Sequence, residues 1–589
     1  MSTANDWNDR RENVAPGLLQ PGSPSMMARF TVAVAALFAS AGLAAAAPPE
    51  PALVIQVKPV SRILGDIKEI IRQVGGPIEG NRLVKDFESK IKDGLGEKGF
   101  EGLDINRPVA IFAVLKEKAE DCSLGVVLPV TGEKEFLACL ERIHLSATAV
   151  KDRKGVYTLD IPPVLPKASH LQFTNDGWVY LTINDGEAAE AKDLVPVAEL
   201  LKNEGPALVN AKIYPGRVPP KLLAGLLEQL DSAAARIKGF VAGGGDPDAK
   251  FMATFLEQGP KLLRRYTETA LKEVNEVGFT FNFDAASGDV VAEMTIVPKA
   301  GTKTAKEFAA LKPTINRFAG LVGKDAVVGV LTSATGFAPE FNEISVASME
   351  SSVGTFKQLP LPEKAKPIFE EFFKGVIRSV KAGVHDFGFA LNGPDKSSLY
   401  SVLAGISNDD PSGFEKAMRE AAKDSSLAKM FTFDVAKVGD VNIHKVELVQ
   451  LLPDTLKDGI AKVFGENAPL YVAPAKDAVL FGFGTGALDG LKSAIAAKPG
   501  PAPAMDIAWN SERIVKLITA IDPQIGGEVA KHLGTDDKTA SAMRFTVQGG
   551  QNLNAKFTLN VRYIPKLLMA FFVSLSPAGP PGVAFPARN

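Results

Sequence analysis

The side chains able to carry acid–base, nucleophilic or metal chemistry are sparse in this chain, with five histidines and two cysteines among 589 residues. The histidines are His144, His170, His385, His444 and His532. None has a second histidine or a cysteine at metal-ligand spacing, and no His-Glu-x-x-His occurs, so the pattern of a zinc site is missing. Each stands at or near the end of an expected strand or helix, where an ordinary polar residue serves. Cys122 opens an expected strand that ends near Val130, and Cys139 lies in the helix that follows. If that helix folds back over its strand, Cys122 is about 26 Å from the connection at roughly 3.3 Å per residue. Cys139 is about 10 Å from it at roughly 1.5 Å per residue. A disulfide needs Cα atoms within about 7 Å, so two buried, unpaired thiols are expected. Neither thiol has a cationic neighbour suited to activating a thiolate.

Other pattern matches dissolve on their spacing. Asn408-Asp409-Asp410-Pro411 has the oxygens of a cation loop, but an acid before a proline that opens a helix is an N-cap followed by a first-turn proline. Asp536-Asp537 and the pair Asp246/Asp248 lack the further ligands and glycine spacing of a calcium loop. Phe481-Gly-Phe-Gly-Thr-Gly486 follows an apolar strand and precedes a helix, yet Ala487 stands where a dinucleotide loop needs its third glycine. Ser426-Leu-Ala-Lys429 fits Ser-x-x-Lys without an accompanying Lys-Thr-Gly or Ser-Asp-Asn. Gly-x-Ser-x-Gly and the Walker loop are absent. A scattered carboxylate pair for glycoside hydrolysis stays open, since such pairing is spatial. Sugar binding normally adds exposed rings, and beyond the leader only Trp178 and Trp509 are present, both in expected strands. No catalytic, cofactor-binding or metal residue is therefore assigned.

The elements that would position any site read as one unit written twice, with a period of about 270 residues. Pro51–Pro59 and its helix find an echo in Ala326–Thr332 and its helix, and Arg107–Ile143 matches His385–Ala421, with Phe136 and Leu140 answering to Phe414 and Met418. Pro206-Ala-Leu-Val-Asn-Ala-Lys212 matches Pro503–Trp509, and the hairpin around Phe279–Phe283 matches that around Phe545–Val547. Strands alternate: Ala555, Phe557, Leu559, Val561 and Tyr563 interleave with Lys556, Thr558, Asn560 and Arg562. Period two implies antiparallel sheets with one buried and one wet face. The expected fold is α+β: two tandem copies of antiparallel sheet with helices packed on one face, each opening with a split β-α-β-β-α-β unit. The copies span 51–322 and 323–575. Helices carry broad apolar stripes, such as Ile368, Phe369, Phe372, Phe373, Val376, Ile377 and Val380, which read as core rather than as a lipid-binding face. Gly243–Asp248 reads as an exposed loop, Lys498–Pro503 as a semi-rigid connector, and residues 576–589 as a disordered tail.

Residues 26–47 have the three parts of a secretory signal peptide: Arg29, an apolar run Phe30–Leu43, and Ala44-x-Ala46. That run is about 14 residues, short of the roughly 20 that span a bilayer. Residues 1–25 read as a disordered leader or a misplaced start, with translation beginning at Met26 or Met27. Residues 1–46 hold three arginines and three acids, so their removal leaves the formal charge at −2. With 66 basic and 68 acidic side chains, no positive field exists to hold nucleic acid or anionic lipid. At 46% hydrophobic and 23% charged residues the chain is neither disordered nor multispanning.

Three segments, Asp104-Ile-Asn-Arg-Pro-Val109, Leu124–Phe136 and Gly155-Val-Tyr-Thr158, resemble uncharacterised exported bacterial proteins with tandem α+β units. The resemblance covers the first copy best. It implies export and architecture and supplies no catalytic residue. The expected function is that of an exported, periplasmic or secreted, non-catalytic envelope protein, binding or structural. Its partner would be an envelope component or an apolar ligand, with no nucleic acid, no cofactor and no membrane span after signal removal. An exported hydrolase using a carboxylate pair and a carrier of apolar ligands are the alternatives.

Overall fold

Alternating apolar residues build the sheet: Ala110, Phe112 and Val114 are buried in Val109–Val114 while their neighbours are only half-buried. The computed structural model describes residues 50–118, 121–160, 168–184, 194–202, 205–225, 227–228, 232, 247–312, 314–333, 339–358, 362–451, 454–524, 526–527 and 543–561. The expected leader and signal peptide, Gly243–Asp246, Asp536-Asp537, His532 and the tail lie outside them. The described residues from Glu50 on, Leu194 apart, pack as one unit.

The first run of strands is β1 (Leu53–Val57), β2 (Val109–Val114), β3 (Ser123–Pro129), β4 (Ser146–Ala149), β5 (Val156–Asp160), β6 (Ala168–Phe173), β7 (Trp178–Asn184), β8 (Val209–Ile213), β9 (Val274–Asp284) and β10 (Asp289–Pro298). A short β11 (Thr314–Asn316) intervenes. There follow β12 (Ala326–Thr332), β13 (Phe387–Asn392), β14 (Ser401–Ser407), β15 (Phe431–Val438), β16 (Val441–Val446), β17 (Leu470–Ala475), β18 (Ala478–Phe483), β19 (Gly500–Ala502), β20 (Met505–Trp509), β21 (Met543–Gln548) and β22 (Leu553–Asn560). The helices are α1 (Val60–Leu95), α2 (Glu133–Arg142), α3 (Val197–Leu200), α4 (Pro247–Glu273), α5 (Lys303–Ala310), α6 (Pro339–Gln358), α7 (Lys366–Lys381), α8 (Pro411–Ala421), α9 (Asp454–Phe464), α10 (Ala487–Ala496) and α11 (Ser511–Ile521).

Twenty of the described strands form one antiparallel sheet. Its hydrogen-bonded order is β4-β5-β6-β7-β3-β2-β1-β8-β9-β10, then β22-β21-β20-β12-β13-β14-β18-β17-β16-β15. The two runs meet along β10 and β22, in register from Asp289↔Asn560 to Ile296↔Leu553. The expected split β-α-β-β-α-β unit is not formed. β1 lies antiparallel between β2 and β8, and β5 pairs with β4 and β6, so no parallel pair brackets a helix. Lys498–Pro503 is not a free connector, because β19 within it pairs with β11. Pro247 and Asp248 open helix α4 rather than a loop.

Helices cover both faces of the second run, against the expected single face. Val479 packs with Ile368 of α7 and Phe414 of α8, whereas the next residue, Leu480, packs with Leu491 of α10. Successive strand residues point to opposite faces, so β18 is dry on both. Its apolar run Ala478-Val-Leu-Phe481 is the continuous kind that two-sided burial requires. In the first run, α1 breaks at Gly76 (φ 70°, ψ −177°), a conformation that strains any side chain. An ion pair from Lys68 to Glu88, 2.6 Å, ties the segments on either side of that break together.

Candidate functional site

One row of cross-strand neighbours makes the floor of a cavity. Val547, Met505, Thr332, Phe387 and Ile406 lie side by side on β21, β20, β12, β13 and β14. Five strands at about 4.8 Å spacing make this floor roughly 19 Å long. Helical spacing makes the roof: Phe341, Ser345 and Met349 recur every four residues on α6, and Val376 and Val380 do so on α7. The cavity volume is about 510 Å³, inside the range of roughly 300–1,000 Å³ typical of small-molecule sites.

A few polar groups gather where β12 and β14 end and β13 begins. The Thr332 hydroxyl donates to the His385 carbonyl at 3.1 Å, and Ser333 donates to Asp386 Oδ1 at 3.0 Å. Arg317 Nε stands 3.5 Å from the other Asp386 oxygen, so that carboxylate has its counter-charge. His385 Nε2 lies 2.7 Å from Asn342 Oδ1. An amide oxygen only accepts, so this ring nitrogen carries the proton. Burial lowers the His385 pKa, with Asp386 opposing, which keeps the imidazole neutral near pH 7. Ser407 is 3% exposed and its hydroxyl has no hydrogen-bond partner. A buried hydroxyl without a partner costs of the order of 1–3 kcal/mol; on β14 it follows Ile406 and so points to the opposite sheet face.

The seating of α7 decides the height of this cavity. Asn408, wholly buried, donates to the Phe372 carbonyl at 3.0 Å and accepts from the Asp410 N–H at 2.9 Å. Gly375 lets the helix come this close, because a Cβ there would sit 2.6 Å from Asn408 Cγ. Asp410 is the helix cap that its sequence suggests: it accepts from the Gly413 N–H at 2.8 Å and the Ser412 hydroxyl at 3.0 Å. Those bonds, with Arg378, hold its carboxyl below the usual range.

A second, smaller cavity of about 160 Å³ lies under the other half of α7. Ala365, Ile368, Phe372, Phe414, Met418, Val472 and Phe481 are among its walls, and every residue around it is apolar. A void of this size with such walls stays dry.

Two further histidines are buried within strands. His444 is fully buried within β16 and His170 nearly so within β6, not at element ends as expected. The β15–β16 register slips between Thr432 and Ala436, and there the Asp434 N–H donates to His444 Nδ1 at 3.1 Å. The imidazole thus replaces a ladder partner at a bulge. Its Nε2 faces Glu415 Oε1 at 3.4 Å, while Arg419 bridges Glu415 and Asp434. Burial lowers the His444 pKa and the two carboxylates oppose it. His144 follows α2 at φ 63°.

Both cysteines are free, Cys139 buried and Cys122 only partly so, since Cys122 sits in the turn before β3 with its sulfur 3.4 Å from the Lys118 carbonyl. The Ser426 hydroxyl is committed to Asp424 at 2.5 Å. Gly484 and Gly486 form the turn into α10. Trp178 is buried at 5% exposure beneath the Arg107 guanidinium, 3.9 Å from the ring centre. Arg107 belongs to the Asp104–Val109 segment, which also holds a turn bond from the Asn106 N–H to Asp104 at 3.1 Å and backbone bonds from Ser61 N–H to the Ile105 carbonyl and from Asp104 N–H to the Pro129 carbonyl, each at 3.0 Å.

Thr332, Phe341 and Met349 carry no sequence signature, and the cavity they line was missed. The α7 stripe was its one visible trace. Among the described residues no group of three or more His, Cys, Asp or Glu could hold a metal ion. No described helix is long and apolar enough to cross a membrane. Comparison with family models, curated proteins and solved structures returns no match.

Proposed function

We propose that this chain is an exported, non-catalytic binding protein that holds an apolar small molecule between the sheet and helices α6 and α7. The carrying observation is the cavity of about 510 Å³, whose floor and roof are mostly apolar. Its polar groups suit recognition better than turnover. His385 is neutral and engaged with Asn342, and Asp386 is engaged with Ser333 and Arg317, so neither stands as a base beside an activated hydroxyl. Export rests on the Arg29, Phe30–Leu43 and Ala44-x-Ala46 pattern.

A doubled ancestral unit accounts for the strand order. Reading inward from either end, each run is a four-strand meander, then three strands in reverse chain order, then three more that reach the centre. Three consecutive buried residues open both β7 (Trp178, Val179, Tyr180) and β18 (Ala478, Val479, Leu480). Leu124 and Phe281 of the first run are each 41% exposed among the described residues.

The test is uptake of an uncharged naphthylamine dye by the purified full chain, with mass spectrometry of any co-purified molecule. Saturable fluorescence is expected, weakened about tenfold or more by Ser345→Phe, which fills the cavity from the roof (tenfold is about 1.4 kcal/mol). Absence of saturable binding, or binding indifferent to that substitution in a folded protein, overturns the proposal.

A further inference from the structure

The floor of the larger cavity does not end at Val547. That residue lies beside Ala555 of β22, and the same cross-strand row runs on through Met294, Phe279 and Ala211 to Ile55 of β1. Every residue in this stretch is apolar, and its five steps at about 4.8 Å reach roughly 24 Å beyond Val547. Val277 and Phe281, two residues to either side of Phe279 on the same face, are apolar as well. The opposite face of these strands is polar and carries ion pairs, Lys212 with Glu276 at 3.1 Å and Arg544 with Asp506 at 2.8 Å. The apolar row is not sealed. Phe279 is 41% exposed, and Ala555, Met294, Ala211 and Ile55 are only half-buried. Helix α4, which packs on α6 and meets it through Arg265 and Glu340 at 3.1 Å, likewise leaves Leu263 and Tyr266 exposed.

We propose, resting on the binding reading above, that the ligand is a lipid whose long hydrocarbon chain has its tip in the cavity and its remaining length along this row, past Met294 and Phe279. Continuity with the cavity selects the occupant. Whatever covers both stretches of floor must pass beneath Phe341 and Ser345 of α6, which a hydrocarbon chain is thin enough to do and a folded partner is not. From Val547 to Ile55 the row offers no charge and no hydrogen-bonding side chain, and each strand it crosses is already paired on both sides. An extended peptide laid there would leave its backbone groups without partners. A methylene chain has none to satisfy and gains with each carbon buried. The polar end of the lipid stays in solvent at the open part of the row, so the site selects by chain length and not by head group.

The experiment photolyses the full chain with 1-eicosanol and with 1-octanol, each carrying a diazirine beside its hydroxyl, and reads the labelled peptides by mass spectrometry. The long probe should label β9 or β10 around Phe279 and Met294, and the short probe only the walls of the cavity. Phe279→Glu changes an exposed position, so it should weaken the long alcohol about tenfold or more and leave the naphthylamine dye unaffected. Phe281→Glu, in the neighbouring row, provides a second variant should the first misfold. If the long probe labels only the cavity walls, or neither substitution weakens it, this inference fails while the binding reading stands. If labelling near Phe279 appears only after removal of residues 563–589, the row is the seat of the chain's own C-terminal segment, and the inference fails as well. If neither the dye nor either alcohol binds, the binding reading itself has failed.

Discussion

Gly375→Ala tests how the roof of the candidate site is seated. The added Cβ would lie 2.6 Å from Asn408 Cγ and 2.7 Å from Nδ2, well inside van der Waals contact. Asn408 cannot turn away without giving up its bonds to the Phe372 carbonyl and the Asp410 N–H. Overpacking of this kind costs about 1–3 kcal/mol, and each buried hydrogen bond lost about 0.5–1.5 kcal/mol. Alanine returns about 1 kcal/mol of helix propensity relative to glycine. The net destabilisation expected is about 2–4 kcal/mol. Urea unfolding followed by tryptophan fluorescence measures it, and the decisive comparison is a double-mutant cycle with Asn408→Ala. With the amide removed, Gly375→Ala should become neutral or stabilising by about 0.5–1 kcal/mol. A single-mutant cost below about 1 kcal/mol, or the same cost in both backgrounds, would refute the close-approach argument.

Two further outcomes follow from the packing. The lowered His444 pKa means that the folded state binds fewer protons than the unfolded chain between that value and about 6.5. Stability should therefore be fully present above about pH 6.5 and decline as the pH falls through that window. Glu415, Asp434 and Arg419 are the charges that face the ring, and His444→Gln should flatten the acid-side decline of the urea midpoint; an unchanged slope would rule out this assignment. Arg107→Ala removes the stack on Trp178 and a bond to the Gly177 carbonyl at 3.2 Å. The expected loss is about 1–2 kcal/mol with altered Trp178 emission, and an emission spectrum identical to wild type would count against it.

What the sequence determined by itself is local. Alternation in Phe279–Phe283 and Ala555–Val561 marks strands, and Asp410-Pro411 marks a helix start, because such signals need only the residue's own backbone and its nearest neighbours. The free thiols at Cys122 and Cys139 were legible for the same reason, a matter of chain length against bond length. The tertiary structure alone decided that the strands close into one sheet, since the β10–β22 pairing joins residues far apart in the chain through backbone groups that every residue carries. It alone decided that β18 is dry on both faces and that His444 sits at a bulge. The cavity belongs to this second class as well. Its walls are mostly ordinary apolar residues from seven elements, and the height at which Gly375 lets α7 rest on Asn408 turns a core stripe into a place with room for a guest.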